Sequence, residues 1–339
     1  MAERRHYWGL VNALPAPALV AVAQQAEAQG LEGLFAPQVY GPPWIPLAAA
    51  ATATERLRLA SGIAIAAVRS PFETAMAAID MDRLSGGRFT LGLGASIQAW
   101  TRGVFGAPEH KPLAHLRETV AAVRHIVRGA HKGLEPFEGR YYRADFAELQ
   151  PTAPPLREEI PVWIAALRGP AVRLAAEIAD GVMGHPMWSL DWAVERIQPD
   201  LRAGLERGGR SREDIDLNLW LWCAPSTDES EAIEDARTTV AFYAGMAQYL
   251  SFFEAHGFGD EARRLQEYVR RREIVDHSRG VPDDMVRSFV ILGKPDEVRG
   301  RIERAWSVAD SLCLVPPAYG LGLEKLAYYS AEIAKLFYE

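Results

Sequence analysis

The chain has 339 residues, of which 49% are apolar and 24% charged, and its formal net charge is −7 at pH 7. That length accommodates one large α/β core as readily as two average domains. The negative balance argues against nucleic acid or an anionic membrane surface as a partner and leaves a small molecule as the expected one.

Residues 1–11 carry Arg4 and Arg5 but no sustained apolar core, and the Ala-rich stretch Trp44–Thr54 is too short and too close to prolines to cross a bilayer. A cytoplasmic protein is expected. Cys223 and Cys313 sit in apolar runs, which suits two reduced thiols better than a disulfide.

In chain order, Tyr7–Asn12 predicts a strand and Pro17–Gln29 a helix closed by Gly30. Leu34–Ala36 predicts a second strand, Pro46–Thr54 a helix, Leu57–Ala66 a third strand rich in Leu, Ile and Ala, and Phe72–Leu84 a helix. Ser85-Gly86-Gly87 ends that helix, because glycine adopts the left-handed conformation without a Cβ clash. Phe89–Gly94 is then a short, glycine-bounded apolar strand, and Leu113–Val127 a fourth helix. The proline- and glycine-dense stretch 128–160, with its Tyr141-Tyr142 pair, predicts an excursion. Val162–Ala165 and Gly181–Met183 predict strands, Ala171–Ala179 and Leu190–Arg207 helices, and Leu217–Cys223 a seventh strand. Residues 228–287 are too long for one crossover helix and predict an inserted helical region. Pro295–Trp306, Leu312–Val315 and Leu323–Phe337 complete the alternation as helix, eighth strand and closing helix. Eight such units predict an α/β fold, a single (β/α)8 TIM barrel over 1–339 with inserted helical segments at 128–160 and 228–287.

Catalytic sites of such barrels lie at the carboxyl ends of the strands. By that rule Arg88, which precedes its strand, belongs to the opposite, stabilising end, whereas Gly94, Ala95 and Ser96 follow it and allow a flat ligand to approach. Ala166-Leu167-Arg168-Gly169 leads from a strand into a helix, whose amino terminus offers N–H groups and a positive dipole end to a phosphate. His185 ends the sixth strand and is the best-placed titratable group, with His110 second. On the seventh strand Asn218, Trp220 and Trp222 alternate with leucines, so one set faces inward and the other faces helices. A paired-His metal motif, P-loop, dinucleotide fingerprint and Gly-x-Ser-x-Gly elbow are all missing, and no metal is expected.

The segment LSGGRFTLGLGAS resembles the signature of the luciferase-like monooxygenase superfamily. LRLASGIAIAAVRSPFETAMAAIDMDRL, PVWIAALRGPAVRLAAEIADGVMGHP and SFVILGKPDEVRGRIERA resemble further parts of it in the same order, so the similarity spans about residues 5–316. The resemblance implies a barrel that uses coenzyme F420 or FMN. It maps a bulge containing a non-proline cis peptide, set against the cofactor ring, onto Gly62-Ile63, and it supports Ala166, Leu167, Arg168 and Gly169 as phosphate-holding residues. It also exposes a departure: in place of the acidic or His-containing stretch many relatives carry after the second strand, this chain has APQVY, leaving Gln38 beside His185 as the catalytic candidates. The leading expectation is F420-dependent hydride transfer to or from a small organic substrate. An FMN monooxygenase fed by a flavin reductase, or a non-catalytic flavin-binding barrel, are the alternatives. A homo-oligomer, such as a homodimer, is expected with any of them.

Overall fold

Short apolar runs form strands, and proline repeatedly starts the helix that follows, because its fixed φ suits the first turn and its missing N–H costs nothing there. The computed structural model describes residues 5–273 and 278–338; residues 1–4, including the Arg4 noted above, and residues 274–277 of the predicted insertion lie outside the described residues. The strands are β1 (His6–Leu10), β2 (Gly33–Ala36), β3 (Arg58–Ser61), β4 (Ala64–Ile65), β5 (Phe89–Gly94), β6 (Phe137–Glu138), β7 (Arg143–Ala144), β8 (Val162–Ala165), β9 (Gly181–Met183), β10 (Asp216–Pro225), β11 (Val290–Gly293) and β12 (Ser311–Val315). With β4 continuing β3, the hairpin β6–β7 apart, and β11 set beside β10, the remaining strands alternate with helices in the order of a (β/α)8 TIM barrel. The fold is therefore α/β of that class, with inserted helical segments.

By compactness the chain divides into two units. The first comprises Trp8–Met183 and Pro199–Asp216, and its strands run parallel in the order β1-β2-β3-β5-β8-β9. Trp8, Phe35 and Trp163 fill its interior. The Trp8 and Phe35 rings stack at 4.4 Å, Trp163 lies 5.4 Å from Trp8, and the Arg58 guanidinium covers both tryptophans at 5.4 and 5.8 Å. Helices α1 (Ala16–Ala28), α2 (Trp44–Ala53), α3 (Pro71–Leu84), α4 (Gln98–Thr101), α5 (Pro112–Gly129), α6 (Gly169–Ile178) and α7 (Gln198–Gly208) accompany these strands. The excursion contains the antiparallel β6–β7 hairpin, whose turn is tied to α5 because the Glu118 carboxylate accepts from the N–H groups of Arg140, Tyr141 and Tyr142.

In the second unit, β10 pairs with β12 over Asn218–Trp222 and with β11 over Trp222–Pro225. The insertion is helical, with α8 (Glu229–Ala244), α9 (Leu250–Ala255), α10 (Gly259–Arg271) and α11 (Asp283–Phe289), followed by α12 (Pro295–Ala305) and α13 (Leu323–Phe337). Cys223 lies near Arg301 of α12, so the alternate β10 residues Asn218, Trp220 and Trp222 face the other way, inward.

Three local expectations differ. The third strand, expected over Leu57–Ala66, is divided into β3 and β4 at the Gly62-Ile63 position where the resemblance maps a bulge. The predicted helix Leu190–Arg207 is a π-turn at Trp192–Arg196 followed by α7, because Pro199 suits the first turn of a new helix and lacks the N–H that an unbroken one requires. Finally, β11 is an added strand.

Candidate active site

At the carboxyl end of β3 the register shows one extra residue. Ala60 pairs with Thr90, and pairing resumes with Ala64 opposite Leu93, so four steps on one strand match three on β5. Ser61 bridges the gap. Its hydroxyl accepts from the Gly92 N–H at 2.9 Å and donates to the Gly92 carbonyl at 2.8 Å, replacing the lost ladder bonds. The Gly62–Ile63 peptide bond inside this bulge is cis, as the resemblance implies.

Gln38 holds the other flank. Its backbone N–H donates to the Ile63 carbonyl at 3.1 Å, and its side-chain Oε1 accepts from the Ile65 N–H at 2.9 Å and from Arg69 Nη2 at 2.7 Å. Arg69, mostly buried over the Trp44 ring, has its pKa lowered by desolvation. Gln38 is thus committed to supporting the bulge. Ser61 and Arg69 were not singled out in the sequence, although a hydroxyl in the middle of the apolar run RLASGIAI was a usable signal.

Ser61, Ala64 and Ile65 are buried, while Gly62 and Ile63 keep part of their surface open, as do Ala95, Ala165 and Leu167 at the ends of the neighbouring strands β5 and β8. Gly94 is buried against Ile63, because a Cβ there would strike the Ile63 side chain. Ser96 turns the chain at φ 55. The result, within the first unit, is a low, uncharged platform across three adjacent strand ends, floored by Phe35, which would meet a Cβ on Gly62 at 2.8 Å. Beside it, Arg168 occupies the N-cap position of α6 and is exposed, and the Ala166 N–H is taken by the Met183 carbonyl. The Asp200 carboxylate, paired with Arg173, fills the space a side chain on Gly169 would need, so the first turn of α6 already faces one anion.

In the second unit His185 directly follows β9. Its Nδ1 accepts from the Met187 N–H at 3.0 Å, which places the ring proton on Nε2, 3.3 Å from the Tyr249 hydroxyl oxygen. Burial pushes its pKa down to about 4, so the ring is neutral at pH 7 and is not a store of protons there. Tyr243 lies edge-on to His185 at 5.9 Å and to Trp222 at 4.8 Å, and 5.2 Å from Tyr249. Neither tyrosine carries a recognisable signal in the sequence. His110, the second histidine candidate, is exposed to partial depth beside His115 and bonds the Pro108 carbonyl.

Arg88 behaves as its position predicts: its guanidinium bonds the carbonyls of Ala51, Thr54, Leu57 and Ser85. A cavity of about 680 Å³ near the amino-terminal residues of β5 and β8 is lined by Arg124, Glu158, Glu177, Asp180 and Arg210, but these charges are engaged with protein partners such as Arg124–Asp180 at 2.8 Å. Among the described residues no cluster of three or more His, Cys, Asp or Glu could hold a metal ion, and no helix is long and apolar enough to cross a membrane. Cys223 and Cys313 are free and buried, and burial raises both thiol pKa values.

Known proteins resemble this chain in sequence and in fold. A protein of Mycobacterium tuberculosis that bears the name "putative coenzyme F420-dependent oxidoreductase" is 30% identical over 333 residues, covering 92% of this chain and 93% of its own. The structure of the coenzyme F420-dependent tetrahydromethanopterin reductase from Methanopyrus kandleri superposes with a TM-score of 0.81 at 24% identity, covering 98% of each chain. The oxygenating constituent of 3,6-diketocamphane monooxygenase from Pseudomonas putida, in complex with FMN, has a TM-score of 0.66 at 17% identity, covering 99% of this chain and 98% of its own. The luciferase-like monooxygenase family model matches residues 4–309. With its barrel order, its bulge after the third strand and this match, the chain belongs to the luciferase-like monooxygenase family of flavin- and deazaflavin-using oxidoreductases.

Proposed function

We propose that the chain is an F420-dependent oxidoreductase that transfers hydride between the deazaflavin and a small organic substrate. The observation that carries this reading is the low, uncharged platform of Gly62, Ile63, Ala95, Ala165 and Leu167, which suits a flat ring system. When bound, the coenzyme supplies the hydride-carrying carbon. Gln38 and Ser61 hold the bulge in place behind it, and Gly94, Ala95 and Ser96 keep the end of β5 low. In the turn Ala166-Leu167-Arg168-Gly169 the exposed Arg168 guanidinium is the group presented to a phosphate, since Asp200 already faces the first turn of α6. His185, neutral at pH 7, acts by orientation through Tyr249. The similarity over most of both chains to a relative whose name points to coenzyme F420 favours the deazaflavin over FMN. The reading extends to a cytoplasmic homo-oligomer.

The test is to incubate the purified protein with each coenzyme and measure the absorbance retained after gel filtration. F420 retained in preference to FMN is expected. Retention of FMN alone would replace this reading with an FMN monooxygenase supplied by a reductase, and retention of neither would leave a barrel without a coenzyme.

A further inference from the structure

Four rings of the second unit pack on one another: His185 after β9, Trp222 near the end of β10, Tyr243 on α8 and Tyr249 just before α9. Their hydrogen bonds are unevenly distributed. His185 is engaged through both nitrogens, by the Met187 N–H and the Tyr249 oxygen, and Tyr249 is further bonded by Gln248. The Tyr243 hydroxyl has no hydrogen-bond partner among the described residues, although its ring is enclosed by His185, Trp222, Tyr249 and Phe242. Tyr243 is only half-buried: its ring is packed while its hydroxyl stays open to solvent, where a ligand can reach it. None of the interactions of these four rings involves an acid, a lysine or an arginine.

We propose that Tyr243 donates a hydrogen bond to the oxygen of the substrate, and that the substrate is a flat, uncharged carbonyl compound held against the Trp222, Tyr243 and Tyr249 rings. Aromatic walls favour a planar, conjugated body through offset and edge-on contacts. The absence of a paired charge disfavours phosphorylated or carboxylated substrates, whose desolvation would go uncompensated. His185 and Tyr249 are positioning residues here: the Tyr249 oxygen accepts from His185 and from Gln248, whereas Tyr243 is tied to none of the described residues by a hydrogen bond. This inference rests on the oxidoreductase reading for its meaning as a substrate site.

The test is equilibrium dialysis of the full chain without coenzyme, using 2-acetylnaphthalene, its isostere 2-isopropenylnaphthalene, and 2-naphthoate. The wild type is expected to bind the ketone more tightly than the isostere and the anion. Tyr243→Phe, which removes an unbonded hydroxyl and keeps the ring, is expected to melt no lower than the wild type. It should lose ketone affinity by about three- to tenfold while binding the isostere unchanged. Equal ketone binding by wild type and variant would overturn the proposal, as would a parallel loss of ketone and isostere, no ketone binding by the wild type, or tighter binding of the anion. With no coenzyme present, the result is independent of the retention experiment: ketone selectivity without coenzyme retention would remove the oxidoreductase reading and keep the binding site.

Discussion

His185 was legible in the sequence as a histidine ending a strand, but its protonation state was not, because the rings that enclose it come from Tyr243 and Tyr249, far along the chain. With a folded pKa of about 4 against an ordinary 6.5, the unfolded chain takes up the proton first as the pH falls. The neutral imidazole therefore costs nothing above the unfolded pKa, and stability is lost progressively as the pH falls from about 6.5 toward 4, by up to ~3 kcal/mol from this residue. Urea melts of the wild type and His185→Asn at about pH 7.5 and about pH 4.5 measure it, since Asn keeps an acceptor for the Met187 N–H and does not titrate. The variant should lose less stability between the two pH values; an equal loss would mean that His185 titrates normally. Gln38 stands where the family's acid is missing, and the structure gives its amide oxygen to Ile65 and Arg69. Gln38→Met should cost on the order of 1 to 3 kcal/mol by orphaning both donors, and should weaken coenzyme binding, while Gln38→Glu restores an acceptor to each. Melts and coenzyme titrations of the pair decide it. A methionine variant that behaves like the wild type would show that the amide pins nothing.

At the scale of elements, the turn, strand and helix around Gly87 and Gly92 were legible because glycines punctuate them. The bulge was not legible from local pattern, since Leu57–Ala66 is apolar throughout and the break depends on a register set by β5. The two glycines therefore make different predictions. Gly87 has φ 85 in a turn at the amino end of β5, where a Cβ would only touch Arg157 Nε at 4.0 Å, so Gly87→Ala should cost about 1 to 2 kcal/mol of backbone strain and leave coenzyme binding alone. Gly92 sits where a Cβ would collide with the Ser61 backbone carbonyl and come within 2.9 Å of the Met183 methyl, and backbone cannot swing aside as a side chain can. Gly92→Ala should force β3 and β5 apart, at a cost of about 3 kcal/mol or more, and disturb coenzyme binding as well. Melting temperatures and coenzyme titrations of the two variants separate strain in a turn from displacement of the bulge. Equal effects on binding would mean that the bulge does not support the coenzyme.

Across the whole molecule, the alternation of short apolar strands with proline-initiated helices was enough to identify the barrel class. The added strand β11 was not, because its four residues pair only with the end of β10, some seventy positions earlier in the chain. The charge of the insertion also misleads: α10 is rich in arginine, yet Arg263 and Arg264 pair with acids of the same or an adjacent helix, so the run is a solvated face. The coenzyme choice is the property of the whole chain that most needs a measurement, and thermal unfolding supplies one that does not depend on a substrate. A ligand that binds only the native state adds RT ln(1 + [L]/Kd), about 2.7 kcal/mol at a hundredfold excess over Kd, which should raise the melting temperature by a few degrees. F420 should therefore raise it progressively with concentration, FMN should do so less at equal concentration, and Gln38→Met should blunt the F420 response beyond its own loss of stability. Equal responses to both coenzymes would remove the preference for the deazaflavin, and no response to either would show that the platform at Gly62 and Ile63 does not hold a flavin-like ring.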